Sequence, residues 1–171
     1  VGLKDIVSKL SNGKRLSISD GHILYQHSSL FEVGQLANLV KIARYGKHVF
    51  FNSNVHINQT NICVLACKFC AFRRSKKQSD AYELSIENYL EEMSKFSKSI
   101  DEVHSVGGLH PDWNVDHYVE LISSAKEKFP EISIKALTAV EVKHLSQQSG
   151  ISFNETLTKL RNAGLDSLPG G

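Results

Sequence analysis

Cys63, Cys67 and Cys70 are the three cysteines of the chain, and they fall within one short stretch as Cys-x3-Cys-x2-Cys. Three thiolates on one loop can hold three corners of a cubane iron–sulfur cluster and leave its fourth iron open to a substrate or cofactor. Other chemistry is compatible with thiols alone. A structural zinc ion wants four ligands, and His48, His56, His104 or His110 could supply the last. A disulfide would use two cysteines and strand the third. Buried, inert cysteines have no reason to cluster.

Further residues have types suited to a site. Gly107-Gly108 directly follows the short run Glu102–Val106 and would let bare backbone approach a ligand amino group, or simply make a tight turn. Without a third glycine and an immediate helix it is no dinucleotide fingerprint. His110 beside it could act as donor, base or carboxylate partner near neutral pH, or lie on the surface. His56, just before the cysteines, could face a site or fill a pleat. Arg73, Arg74, Lys76 and Lys77 follow the cysteines as a basic run, which could pair with a substrate carboxylate or stay a solvated loop. Tyr82 lies beyond it and would pack under the loop.

These residues must be held by elements that the pattern predicts. The first 48 residues read as helical: Ser17 or Ser19 caps a segment toward Tyr25, and Leu30 to Arg44 stops at Gly46. His48–Phe51 and Val55–Ile57 are β-rich and lead into the cysteine loop. Ser85 opens a helix to about Lys98. Glu102–Val106 is a second strand, ending at Gly107. Asn114 or Asp116 caps a helix to Phe129, with apolar positions at helical spacing. Ile132–Leu137 is a third strand. Helices near Val140–Gln147 and Asn154–Ala163 follow, and Asp166–Gly171 starts a fourth strand or its exit loop. Strand, long connection, strand, repeated, predicts a parallel sheet of βαβ units. In a βα barrel the loops after the strands share one face, where active sites lie.

Composition narrows the classes. At 171 residues, 41% hydrophobic and 22% charged, the chain can build a sizeable core. A formal charge of +2 argues against bulk nucleic-acid binding, and the basic run lacks interleaved aromatics. No apolar stretch approaches the roughly 18 residues of a membrane span. An unpaired cysteine set with no leading apolar segment predicts a reducing, cytoplasmic compartment.

The cysteine spacing, with Phe69 before the last cysteine, resembles the radical S-adenosylmethionine (radical SAM) enzymes. Asn52–Phe72, Gly107-Gly108-Leu109-His110-Pro111, Lys135–Glu141 and Leu168-Pro169-Gly170-Gly171 resemble the radical SAM enzymes of the futalosine (menaquinone) pathway. The Gly-Gly-Leu-His-Pro and Thr-Ala-Val-Glu wording is most like the aminofutalosine synthases. The resemblance implies the N-terminal half of a partial (βα) barrel over 49–171, an α/β fold, with a helical extension over 1–48. It implies a [4Fe–4S] cluster on Cys63, Cys67 and Cys70, and S-adenosylmethionine on the open iron. It places Phe69 near the adenine, Gly107 and Gly108 at the amino group, and Glu141, with Thr138 beside it, at the ribose. Glu141 and Thr138 equally suit a helix first turn. The implied reaction adds a 5′-deoxyadenosyl radical to 3-[(1-carboxyvinyl)oxy]benzoate to give aminofutalosine. The implied partners are a small carboxylate substrate and an electron donor such as flavodoxin or ferredoxin, with no membrane or nucleic acid. A hydrogen-abstracting relative of the cyclic dehypoxanthine futalosine synthase type, or a non-catalytic metal-binding fragment, are the alternatives. The family resembled is about twice as long as these 171 residues. About four strands here, against roughly six to eight in a closed barrel, predict a truncated sheet.

Overall fold

A computed structural model describes residues 2–170, and the chain divides into two compact units, with the boundary between Phe51 and Asn52. The first is helical: α1 (Leu3–Ser11), α2 (Ile18–Gln26) and α3 (Leu30–Tyr45). Ser17 caps α2 and Asp20 closes the capping box, and the Lys9 ammonium reaches the same carboxylate at 2.7 Å, tying α1 to α2. With Lys9 and Ser17 both donating to it, the Asp20 carboxyl is lowered to about 2. Gly46 ends α3 at φ +59°.

The second unit holds a three-stranded parallel sheet of order β1-β2-β3: β1 (Asn54–His56), β2 (Glu102–Ser105) and β3 (Ser133–Ala136). Its helices are α4 (Ile86–Phe96), α5 (Val115–Lys128), α6 (Ala139–Ser149) and α7 (Phe153–Asn162). Ser85, Asn114, Thr138 and Ser152 cap them, each side-chain oxygen accepting an amide three residues on. Because strand residues alternate faces, Val55, Val103 and Ile134 meet in register on one side of the sheet. Tyr89 and Met93 of α4, Ile122 of α5, Leu145 of α6 and Leu160 of α7 join that side in one buried cluster. All four helices therefore contribute to a core with these strand residues. The other face carries Asn54, His56, Glu102, His104, Ser133 and Lys135, none of them buried. One apolar face under helices and one polar face left open is the architecture of a barrel segment, its polar side inward.

Two expected strands are corrected. His48–Phe51 is not a strand: Phe50 turns its ring onto Tyr45 at 5.6 Å, and Phe51 is exposed. β-propensity expresses fit to a paired, half-buried surface, and this run has no paired strand. The fourth strand amounts to one parallel bridge, Lys135 to Ser167, supported by Asp166 N–H on the Ile134 carbonyl. Gly171, the last of the final glycines, lies outside the described residues.

Candidate active site

The cysteine loop leaves the C-terminal end of β1 and is fixed at its two ends. Cys63 N–H donates to the Arg74 carbonyl at 3.0 Å, and Arg74 N–H to the Asn61 carbonyl at 2.8 Å. The buried Asn61 side chain bonds the Asp80 carbonyl and the Tyr82 amide, while Leu84 N–H donates to Gln59. The Arg74 guanidinium spans the loop, meeting Asp80 at 2.6 Å and the Ala71 carbonyl at 2.8 Å. Arg73 Nε donates to the Cys63 carbonyl, and Lys76 pairs with Asp112 at 2.7 Å. Three members of the basic run thus have partners inside the chain. Tyr82 is not packed away under the loop: it is partly exposed, its hydroxyl donates to the Asn58 carbonyl and its ring meets Phe72 edge-on at 6.3 Å.

The middle of the loop turns outward. Cys63 is half-buried, Cys67 and Cys70 are exposed, and Phe69 is 93% exposed. A Cys70 N–H bond to the Cys67 carbonyl makes a turn between the two outer thiols. All three cysteines are free. Among the described residues no three His, Cys, Asp or Glu side chains converge as a finished metal group. The donor set nevertheless fits a site-open cluster: three free thiols on one anchored loop whose tip has few bonds to break.

The glycine turn seats this loop. A Cβ at Gly108 would lie 2.1 Å from the Ile62 carbonyl oxygen and 3.0 Å from the Cys63 Cβ. At Gly107 it would lie 2.7 Å from Gln59 Nε2 and 3.0 Å from the Thr60 carbonyl. Gly108 N–H donates to that Thr60 carbonyl, and Val64 N–H to Leu109. Gly108 therefore needs glycine for backbone-to-backbone contact with the root of the cysteine loop, and at Gly107 the lack of a Cβ leaves room for the buried Gln59 amide.

Glu141 braces the turn from the third strand's exit. One carboxylate oxygen accepts Gly107 N–H at 3.0 Å, and the other accepts the Thr138 N–H and hydroxyl at 2.7 and 2.8 Å. Thr138 and Glu141 are the capping box of α6, so the same carboxylate starts a helix and holds the glycine turn. Burial pushes the Glu141 carboxyl up, against the pull of those donors. Just before it, Leu137 is fully buried at φ +63°, a conformation that costs a non-glycine residue about 1 kcal/mol or more and concentrates at functional sites.

His110 is buried and engaged at both nitrogens. Asp112 N–H donates to Nδ1, which leaves the proton on Nε2, 2.6 Å from Glu83 Oε2. Its ring stacks on Trp113 at 4.4 Å, and His144 donates to its carbonyl. The structure thus brings Cys63, Gly107, Gly108, Thr138 and Glu141 together, with His110 adjoining them, and leaves Phe69, Cys67 and Cys70 on the outer arc. Glu83, Gln59 and Leu137 were not expected from sequence. The polar run Gln59-Thr60-Asn61, shortly after β1, was the visible signal for Gln59.

Comparison with known proteins agrees with this geometry. The family model described as the Radical SAM superfamily matches residues 57–171. Aminodeoxyfutalosine synthase of Thermus thermophilus is 36% identical over 97% of this chain and 45% of its own length. Cyclic dehypoxanthine futalosine synthase of Halalkalibacterium halodurans is 33% identical over 100% of this chain and 47% of its own. The crystal structure of methylornithine synthase superposes with a TM-score of 0.67 at 22% identity, over 96% of this chain and 46% of that one, and shows the fold. The chain belongs to the radical SAM superfamily. It spans about half the length of the curated relatives it matches. Members of this family use a [4Fe–4S] cluster and S-adenosylmethionine, and act on small molecules with an external reductant. Among the described residues no helix is long and apolar enough to cross a membrane.

Proposed function

We propose that this chain supplies the cluster-binding part of a radical SAM transferase of the aminodeoxyfutalosine synthase type. The observation that carries the reading is the Cys63–Cys70 loop rooted on Gly107-Gly108 at the C-terminal end of a parallel sheet. The name of the Thermus thermophilus relative supports the particular reaction. Cys63, Cys67 and Cys70 would hold the cluster. The chemistry that a bound cluster supplies in this family is one electron for cleavage of S-adenosylmethionine.

The chain's own residues set the place for that chemistry. Gly107 and Gly108 fix the root of the loop, and Glu141 with Thr138 fixes Gly107. Phe69, exposed at the tip, is free to close over an adenine, and Arg73 holds the Cys63 carbonyl. The substrate of the proposed reaction is 3-[(1-carboxyvinyl)oxy]benzoate, whose vinyl group takes up the adenosyl radical, so the adenosyl group stays in the product. A small electron-transfer protein such as flavodoxin or ferredoxin is the proposed reductant, in a reducing cytoplasm that keeps the thiols free.

The similarity to cyclic dehypoxanthine futalosine synthase favours a second reading, hydrogen abstraction with release of free 5′-deoxyadenosine. Mass spectrometry of the anaerobic reaction of the whole enzyme separates the two. The expected result is an adduct that retains the adenosyl group. Stoichiometric free 5′-deoxyadenosine with no adduct would replace the first reading by the second.

A further inference from the structure

The open face of the sheet carries a row of groups without use in the fold. His56, His104 and Lys135 are register partners across β1, β2 and β3. They form the last row of that face before the strands give way to the loops bearing Cys63, Gly107 and Thr138. The two imidazoles lie 4.4 Å apart at 54°. Among the described residues no hydrogen bond holds either ring. Among the described residues Lys135 has only a loose ionic partner, Glu102 at 3.7 Å.

We propose that His56, His104 and Lys135 form a carboxylate-binding subsite for a small organic acid. The inference deepens the proposed function, and rests on it only for the identity of the natural acid. The chemistry selects an anion. A cation would meet the Lys135 ammonium, and among the described residues no third His, Cys, Asp or Glu joins the two imidazoles as a metal group. A carboxylate instead gains an ammonium and two imidazole N–H donors in one line, with neighbouring strands about 4.8 Å apart.

The electrostatics agree. Burial, then His56 and then Lys135, hold the His104 imidazole below its ordinary range, while Glu102 opposes them. These groups, one from each neighbouring strand and one from β2 itself, are the titratable residues of the row and its flank. A bound carboxylate would offset the first three and favour the imidazolium. Among the helices of this unit none faces the carboxylate, because α4, α5, α6 and α7 contribute to the core on the opposite side.

The test is a nuclear magnetic resonance titration of the histidine Cε1–H signals of this chain, with isophthalate as the probe. Isophthalamide serves as its neutral counterpart and inorganic phosphate as a general anion. Isophthalate is expected to shift His56 and His104 saturably and to raise the titration midpoint of His104, with isophthalamide inert. Lys135→Gln, at a half-exposed position, should weaken binding about tenfold, the loss of one charged hydrogen-bond partner. His56→Gln supplies an independent variant at an exposed position. Absent shifts, equal shifts with isophthalamide, equal binding of phosphate, or unchanged affinity in both variants would each overturn the subsite. The titration needs neither cluster nor S-adenosylmethionine. Carboxylate binding with no radical product would sink the proposed function alone, and radical product with an indifferent row would sink this inference alone.

Discussion

The glycine turn and the cysteine loop touch each other, yet they are built in opposite ways. Gly107 and Gly108 sit where no Cβ fits, with amides on Glu141 and Thr60. Cys67, Phe69 and Cys70 lie exposed beyond the last anchoring bonds. One region is complete in the protein alone and the other waits for something to close on. The rigid part is what sets the position of the adaptable part, as a site must be held by a supporting shell.

The sharpest way to break that comparison is Gly108→Ala. The added methyl would stand 2.1 Å from the Ile62 carbonyl oxygen, a backbone atom with nowhere to go. Overpacking of this kind is expected to cost about 3 kcal/mol, read as a fall in urea midpoint, together with loss of iron uptake. A variant as stable as the parent would show that the turn and loop do not pack this way.

Glu141→Ala is next. It leaves the Gly107 and Thr138 amides without their acceptor, at a cost of about 2 kcal/mol. Glu141→Gln probes its charge. Because burial raises the Glu141 carboxyl, the folded chain holds that proton more tightly than the unfolded one. This contribution favours the fold at the acid end and fades as pH rises from the ordinary carboxylate range through the raised value. The stability difference between parent and Glu141→Gln should therefore change across that window, and a difference constant with pH would contradict the buried carboxylate.

Glu83→Gln tests the tie from the segment after the loop to His110. Glu83 is half-exposed, so the expected loss is about 1 kcal/mol or less. Replacement of Cys63, Cys67 and Cys70 together by serine has the smallest expected effect on the metal-free fold, within about 0.5 kcal/mol, while abolishing iron binding. A large loss of metal-free stability would mean that the thiols pack the loop rather than wait for a ligand.

Local chemistry made much of this legible. Ser17, Ser85 and Asn114 cap the helices expected of them, Gly46 and Gly150 end theirs, and the apolar runs around Val103 and Ile134 are paired strands. The cysteine spacing and glycine turn stood out as a candidate site, and the structure packs Gly108 on the root of the cysteine loop. What local pattern could not show is long-range. His48–Phe51 has strand-like residues but no strand to pair with, and the Phe50 ring turns to Tyr45. Glu141 reads equally well as a helix start or a ligand contact, and only the fold shows its second oxygen on Gly107, 34 residues away. His110 reads as an available base until Glu83 and the Asp112 amide are seen to occupy it.

The most direct measurement is anaerobic reconstitution with iron and sulfide, then iron counting and a low-temperature electron spin resonance spectrum with and without S-adenosylmethionine. About four irons per chain, lost in the triple serine variant, and a reduced signal that changes on adding S-adenosylmethionine, is the predicted result. Zinc in place of iron, or a cluster indifferent to S-adenosylmethionine in folded protein, would contradict a site-open cluster on Cys63, Cys67 and Cys70.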